Sequence, residues 1–284
     1  MWVARPGERE RLGELLRSEA ERVQAELKVM ERGAEEASCR ICGSREELTE
    51  EHTPSKKAGN LERLLRGMID YEKSVSGDEV AWEVQLIQGG ATATTLCESC
   101  NNDTGSWYNP AYIRLVDACR PLAVPANAGA SCEVKVELHT QRVAKQALAT
   151  LLATSQPGVT TRYPHVREML MQGDTVRSLS PLRLWLYLRA NEGARISGIA
   201  ALVREEDRKG HLLAEFSFWP LGWVLTFDDL DVEGAVNVSS WLEHGYHEKA
   251  QVALDVPCQW ALMAYPLDFR SAERILAERA RPSQ

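Results

Sequence analysis

The chain has 284 residues, 44% hydrophobic and 26% charged, enough apolar material for one large domain or two modest ones. Its net charge of −8 argues against a basic nucleic-acid binder taken as a whole and leaves room only for a local basic patch. No run approaches the ~18 apolar residues that span a membrane, and the opening MWVARPGERERLGELL is too charged for a secretory leader, so a cytoplasmic protein is expected.

Residues 7–37 read as one long helix. Leu12, Leu15, Leu16, Val23, Leu27 and Met30 recur at spacings of three, four and seven, opposite a Glu/Arg-rich face. Such a helix packs on the body of the protein or meets a protein partner or a second copy. Residues 38–60 are turn-rich. LERLLRGMIDYEK (61–73) looks helical, and EVAWEVQLIQ (79–88) and ATATTLC (91–97) look like strands around the Gly89-Gly90 turn. Helices are expected from the second cysteine pair, carrying Asn101 and Asn102, and over 110–119. The Pro/Ala/Gly stretch 121–130 reads as a linker. Beyond it, SCEVKVEL, LRLWLYLRA, RISGIAALV, HLLAEFSFW, GWVLTFD and QVALDVPCQ are strand-like, RVAKQALATLLATS (142–155) is an apolar helix, and SAERILAERA closes the chain as a helix. The predicted class is α+β: an N-terminal helix (1–37), a cysteine-bounded module (38–120) with an insertion at 61–90, and an antiparallel-sheet domain of unknown role (131–284).

The chemistry sits in the cysteines and in what lies between them. Cys39-x2-Cys42 and Cys97-x2-Cys100 each place two thiols on a short turn. Two such pairs supply four thiolates in tetrahedral array, the closed set preferred by a structural Zn2+. The 54 intervening residues, 43–96, exceed ordinary zinc-finger spacing, so the ion would staple two distant segments. A site closed by four sulfurs has no open position for substrate, so catalysis must use other groups. Glu51-His52-Thr53-Pro54 follows the first pair, and Asn101-Asn102-Asp103 follows the second directly.

CRICG, LTEEHTPSKKAGN and LCESCNNDTGS, in that order, resemble the zinc-containing branch of the HNH (ββα-metal, His-Me finger) endonucleases over roughly the first third of the chain. The resemblance implies two strands and a helix around one divalent cation. His52 would be the general base, a role that suits the histidine side chain. Glu51 and Asn101 would hold a catalytic Mg2+ or Mn2+ through oxygen. Lys56, Lys57 and Asn102 would contact the substrate, and the partner would be nucleic acid, DNA in first place. A bacterial or phage defence setting suits such a nuclease by analogy. The sequence departs from the family pattern in three places. Pro54 stands two rather than three residues after the histidine. Thr92 occupies the place of a middle asparagine that positions the loop. Asp103 and Gly105 lie where a lysine is usual.

Two alternatives stay open. The module is a catalytically degenerate scaffold that binds protein or nucleic acid, or residues 131–284 sense a ligand or partner and gate the nuclease. Trp107, Tyr108 and Tyr112 read as core or as base-stacking groups. His244 and His247 read as a solvated turn or as a metal pair lacking further ligands.

Overall fold

The computed structural model describes residues 6–31, 37–60, 64–68, 83–204, 208–262 and 265–279. The fold is α+β. Helix α1 (Pro6–Glu31) begins on a proline whose fixed φ suits the first helical position. It lies on its own protein's sheet: Val23 is fully buried and Leu27 packs on the core. Arg22 donates to the Gly210 carbonyl (2.7 Å) and Glu19 accepts from the Gly210 amide (3.0 Å), so the two charges of one helical turn clamp one strand end.

Strand β1 (Leu48–His52) pairs antiparallel with β4 (Thr92–Cys97), and between them β2 (Leu64–Met68) pairs with β3 (Glu83–Ile87). The expected helix over 61–73 is therefore corrected where it is described. Leu64 and Leu65 face Ile87 and Leu86 across a ladder, and Gly67 lowers helix propensity in so short a run. The rest of that segment, and 79–82 of the expected strand, lie outside the described residues. Helices α2 (Glu98–Trp107) and α3 (Asn109–Cys119) follow β4, with Pro110 in the first turn of α3.

Strands β5 (Ser131–Leu138), β6 (Arg183–Arg189), β7 (Ala194–Val203), β8 (Gly210–Phe218), β9 (Leu221–Thr226), β10 (Val236–Asn237) and β11 (Ala250–Gln259) form the large sheet. Its order is β5-β11-β6-β9-β8-β7, with β10 beside β6. All pairs are antiparallel except the short parallel contact of β11 with β6. Every described residue of β8 and β9 is buried, so these strands show no inside-outside alternation, because both sheet faces are covered. One face receives α4 (Thr140–Ala153). The other holds a second cluster of Trp185, Tyr187, Leu213 and Val224, roofed by Leu230, Val232, Leu267 and Phe269.

Helix α4 is buried on nearly every side, as its continuous apolar run demands. It sits between the sheet and the cysteine-bounded segment, touching α2, α3 and β4 on one side and β8 and β9 on the other. Two helices not foreseen from the sequence, α5 (Val159–Arg162) and α6 (Pro164–Met171), precede a loop tied down by Lys145. This buried lysine donates to the carbonyls of Gln172 (3.2 Å), Gly173 (2.9 Å) and Thr175 (3.0 Å), and its burial pushes its pKa down to about 8. A single hydrophobic cluster runs from Cys39, Ile41 and Leu96 through Tyr112 and α4 to Phe216 and Trp223. The stretch read as a linker, 121–130, is docked rather than free: Ala123 is buried, and Gly129 and Ala130 exchange backbone hydrogen bonds with Cys258 (2.7 and 2.8 Å). Helix α7 (Ala272–Arg279) closes the chain. Among the described residues, no helix is long and apolar enough to cross a membrane.

Candidate functional site

The first cysteine pair occupies a turn closed by Gly43 N–H on the Cys39 carbonyl (2.9 Å). Gly43 takes φ +75, a region that favours glycine. The Ser44 amide points at the Cys42 sulfur (3.4 Å). The second pair straddles the start of α2, where helix-end N–H groups favour negative charge. All four sulfurs lie within 4.8 Å of one another, with Cys42 and Cys97 3.7 Å apart. An ion held by four sulfurs at about 2.3 Å has tetrahedral edges of about 3.8 Å, so the donor set fits. All seven cysteines are free thiols. Within the cluster, a hydrogen bond from Cys100 holds the Cys39 thiol far below its ordinary range, while the same contact and burial push Cys100 up. Four sulfurs this close cannot all ionise unaided, and a cation removes that conflict.

A bulge shapes what lies beside the cluster. Thr49 faces Leu96 and Glu50 faces Thr94, so Thr95 is the extra residue of β4. The Thr95 hydroxyl donates to the Ala153 carbonyl at the end of α4 (2.8 Å) and lies 3.4 Å from Glu51 Oε1. Burial pushes the Glu51 carboxyl up to about 8, against the pull of Thr95, and negative charge on Cys39 adds to the rise.

His52 ends β1, and its Nε2 lies 3.1 Å from the Gly89 carbonyl. A carbonyl only accepts, so in the neutral ring this contact places the proton on Nε2 and leaves a lone pair on Nδ1. Asn60 holds the loop in place. Its Nδ2 donates to the Pro54 and Ala91 carbonyls (both 2.7 Å), and its Oδ1 accepts from the Ala91 amide (2.7 Å). Gly90, at φ +96, lies so close to Asn60 that a Cβ there would collide with it. Asn60 thus ties the Pro54 and Ala91 segments together from just beyond the 3-10 turn at Lys56–Ala58. Asn60→Ala is expected to leave the Pro54 carbonyl and the Ala91 amide without their partner at about 1–3 kcal/mol each, while the Ala91 carbonyl keeps the Thr53 amide (3.0 Å). Thermal unfolding would register the loss, and an unchanged midpoint would refute the tie.

Glu51, His52, Lys56 and Asn101, named from the sequence on three separate stretches, line one cleft of about 310 Å3. Asn101 donates from Nδ2 to the Thr49 hydroxyl (3.1 Å), so its amide oxygen is the end available to a ligand. Lys57 and Asn102 are exposed and do not line the cleft. Sequence reasoning missed Asn109, whose Oδ1 accepts from Ser55 (3.0 Å), and Gln146 on α4, both in the cleft wall. Nothing local to either residue marks it in the sequence. Tyr108 and Tyr112 are core residues: Tyr108 donates to the Leu170 carbonyl (2.9 Å) and Tyr112 accepts from Trp223 (3.2 Å). His244 contacts the Thr140 hydroxyl (2.6 Å) and His247 contacts Arg142 (3.4 Å). Among the described residues the cysteine tetrad is the one group of three or more His, Cys, Asp or Glu side chains whose ligand atoms lie close enough together to hold a metal ion.

No protein-family model, curated protein or solved structure matches the chain.

Proposed function

We propose that the chain is a metal-dependent endonuclease of the HNH type that hydrolyses phosphodiester bonds in nucleic acid, DNA in first place, with a structural Zn2+ in the cysteine tetrad. The observation that carries this reading is the convergence of Glu51, His52 and Asn101 in one cleft beside the four thiols. The two antiparallel strands β1 and β4 and the helix α2 bring them there. The donor chemistry would fit a hard cation: the Glu51 carboxyl, once the ion's charge displaces its proton, and the amide oxygen of Asn101 would suit Mg2+ or Mn2+. Bound there, such an ion supplies charge neutralisation at the phosphorane and at the leaving oxygen.

The chain's own groups do the rest. His52, with Nε2 directed at Gly89, offers Nδ1 to take the proton of the attacking water. Lys56 presents a point charge at the cleft for a substrate phosphate. The Asn60 tie keeps the loop behind His52 from shifting, which matters because misplacing a base by ~1 Å can cost on the order of a hundredfold in rate.

The test is cleavage of supercoiled plasmid with Mg2+ or Mn2+. His52→Ala is expected to slow it by about 10²–10⁴-fold, the range for losing a positioned general base, with unchanged circular dichroism. Equal rates for the two proteins end the nuclease reading and leave a zinc-stapled binding scaffold.

A further inference from the structure

We infer that Arg120 is a second phosphate contact of the nucleic-acid substrate, its guanidinium gripping a backbone phosphate a few nucleotides away from the cleft. The inference takes its ligand from the proposed nuclease and extends that site to the far end of the loop 55–60. The 3-10 turn Lys56–Ala58 runs beside α3. Ser55, at its start, donates to Asn109 in the cleft wall at the head of α3 (3.0 Å). Gly59, at its end, lies against the tail of the same helix, with Arg120 Nη2 3.2 Å from where a Cβ on Gly59 would stand. A turn of this size spans less than about 7 Å, so the guanidinium sits within roughly 12 Å of the Lys56 backbone, a separation of a few nucleotides along one strand.

The guanidinium is placed but not paired. It lies over the Trp219 ring, 5.7 Å from its centroid, and Trp219 is itself fixed by Nε1 donating to the Ala123 carbonyl (2.8 Å). Stacking orients a guanidinium without using its N–H groups. Among the described residues no carboxylate, carbonyl or hydroxyl accepts from the Arg120 side chain, and Asp117, one turn back on α3, forms no ion pair with it. Its Nε is covered and out of a ligand's reach, whereas Nη1 and Nη2 are not buried, so the end of the fork is what a ligand meets. Two coplanar amino groups match two oxygens of a phosphodiester. An arginine already held on an aromatic face has less freedom left to lose on binding than a loose surface arginine has. Lys56 and Lys57 stand exposed on the turn between Arg120 and the cleft, so three cations flank the cleft on one side. They make the local basic patch that a net charge of −8 leaves room for.

The experiment is fluorescence anisotropy of a labelled DNA oligonucleotide, single-stranded and duplex, on the full-length zinc-loaded chain over a range of salt concentrations, with no Mg2+ or Mn2+ added. Each phosphate contact contributes about one to the slope of log affinity against log salt. Arg120→Gln is expected to weaken binding and to lower that slope by about one, while Arg120→Lys, which keeps the charge, retains the slope. A purely structural arginine would lower the thermal midpoint in both variants and leave the slope alone. A second measurement needs no variant: phenylglyoxal should modify Arg120 in the free wild-type chain, read by mass spectrometry, and added DNA should block the reaction. The wild-type slope in Arg120→Gln on both forms of DNA, an Arg120 that the reagent does not reach or that DNA does not shield, or a wild type that binds no DNA overturns the inference. The two readings fail separately. A lowered slope with His52-independent cleavage keeps Arg120 as a contact of a binding scaffold and removes the nuclease. His52-dependent cleavage with an unchanged slope does the reverse.

Discussion

Stripping the ion from the four-cysteine cluster is expected to loosen residues 37–60 and 88–108 while the large sheet stays folded. The first cysteine turn has little else to hold it. Beyond the buried Ile41, its ties are the Gly43 and Ser44 contacts within the turn, the Arg40 amide on the Thr95 carbonyl (3.0 Å) and the Thr160 hydroxyl on the Arg40 carbonyl (3.1 Å). Structural four-ligand zinc contributes about 10–16 kcal/mol at neutral pH in small modules, comparable to the whole stability of a domain. Without the ion, three buried thiols and a fourth half-buried one stay within 4.8 Å of each other with their ionisation frustrated. The sheet shares this dependence less, since its second face is closed by Trp185, Tyr187, Leu213 and Val224 in a separate cluster without any of the four thiols. Metal analysis should give one zinc per chain. Hydrogen exchange after chelation, and in Cys97→Ser, should show lost protection in β1, β4 and α2 and retained protection in β6, β8 and β9. Unchanged exchange around Cys39 and Cys97 would remove the staple, and with it the geometric basis of the cleft.

The four-cysteine cluster was legible because its signal is local: two residues between thiols is a ligand spacing in any fold. The apolar run 142–155 was legible as a helix for the same reason, although its central place followed only once both flanking layers were known. Leu64–Met68 was misread because a short apolar run carries no period that separates strand from helix, and its pairing partner lies beyond an intervening segment. Asn60 and Gln146 were invisible for a deeper reason. Asn60 acts on Ala91, 31 residues away, and Gln146 lines the same cleft as Glu51 from 95 positions away (146 minus 51), so each placement exists only after folding. The sheet's strands could be read singly, but their order could not. Strand β11 leaves its chain neighbours to pair with β5 and β6, a closure that no turn signal announces. The sequence shows that no asparagine stands at Thr92 and does not show that Asn60 ties the neighbouring Ala91 to Pro54.

Arg195→Leu is expected to destabilise the chain by about 3–5 kcal/mol, the range for orphaning one half of a buried ion pair, and to leave the cleft chemistry intact below the lowered melting temperature. Arg195 is 3% and Glu215 0% exposed on their side chains, with Nη2 to Oε1 at 2.6 Å and Nε to Oε1 at 3.1 Å. The same Oε1 accepts from Tyr187 (2.5 Å), while Oε2 accepts from the Leu267 amide (2.9 Å) and Arg195 Nη1 donates to the Asp268 carbonyl (2.8 Å). The pair therefore pins residues 267–269 over the second face of the sheet, where Leu267 and Phe269 cover Tyr187. Removing the guanidinium leaves a buried carboxylate facing a hydroxyl and one amide, and frees the strap. Replacing both ends, Arg195→Leu with Glu215→Leu, removes the uncompensated charge along with the attraction and is expected to restore much of the loss, because apolar substitutes for buried ion pairs are often neutral. Urea denaturation of wild type, single and double variants measures this. A double variant no more stable than the single one would mean that the strap is held by something other than this charge pair. The cleft lies on the opposite side, against α4, which itself covers the other sheet face. On the proposed function, plasmid cleavage by the folded variants should therefore match wild type, separating the groups that keep the sheet closed from those that line the cleft.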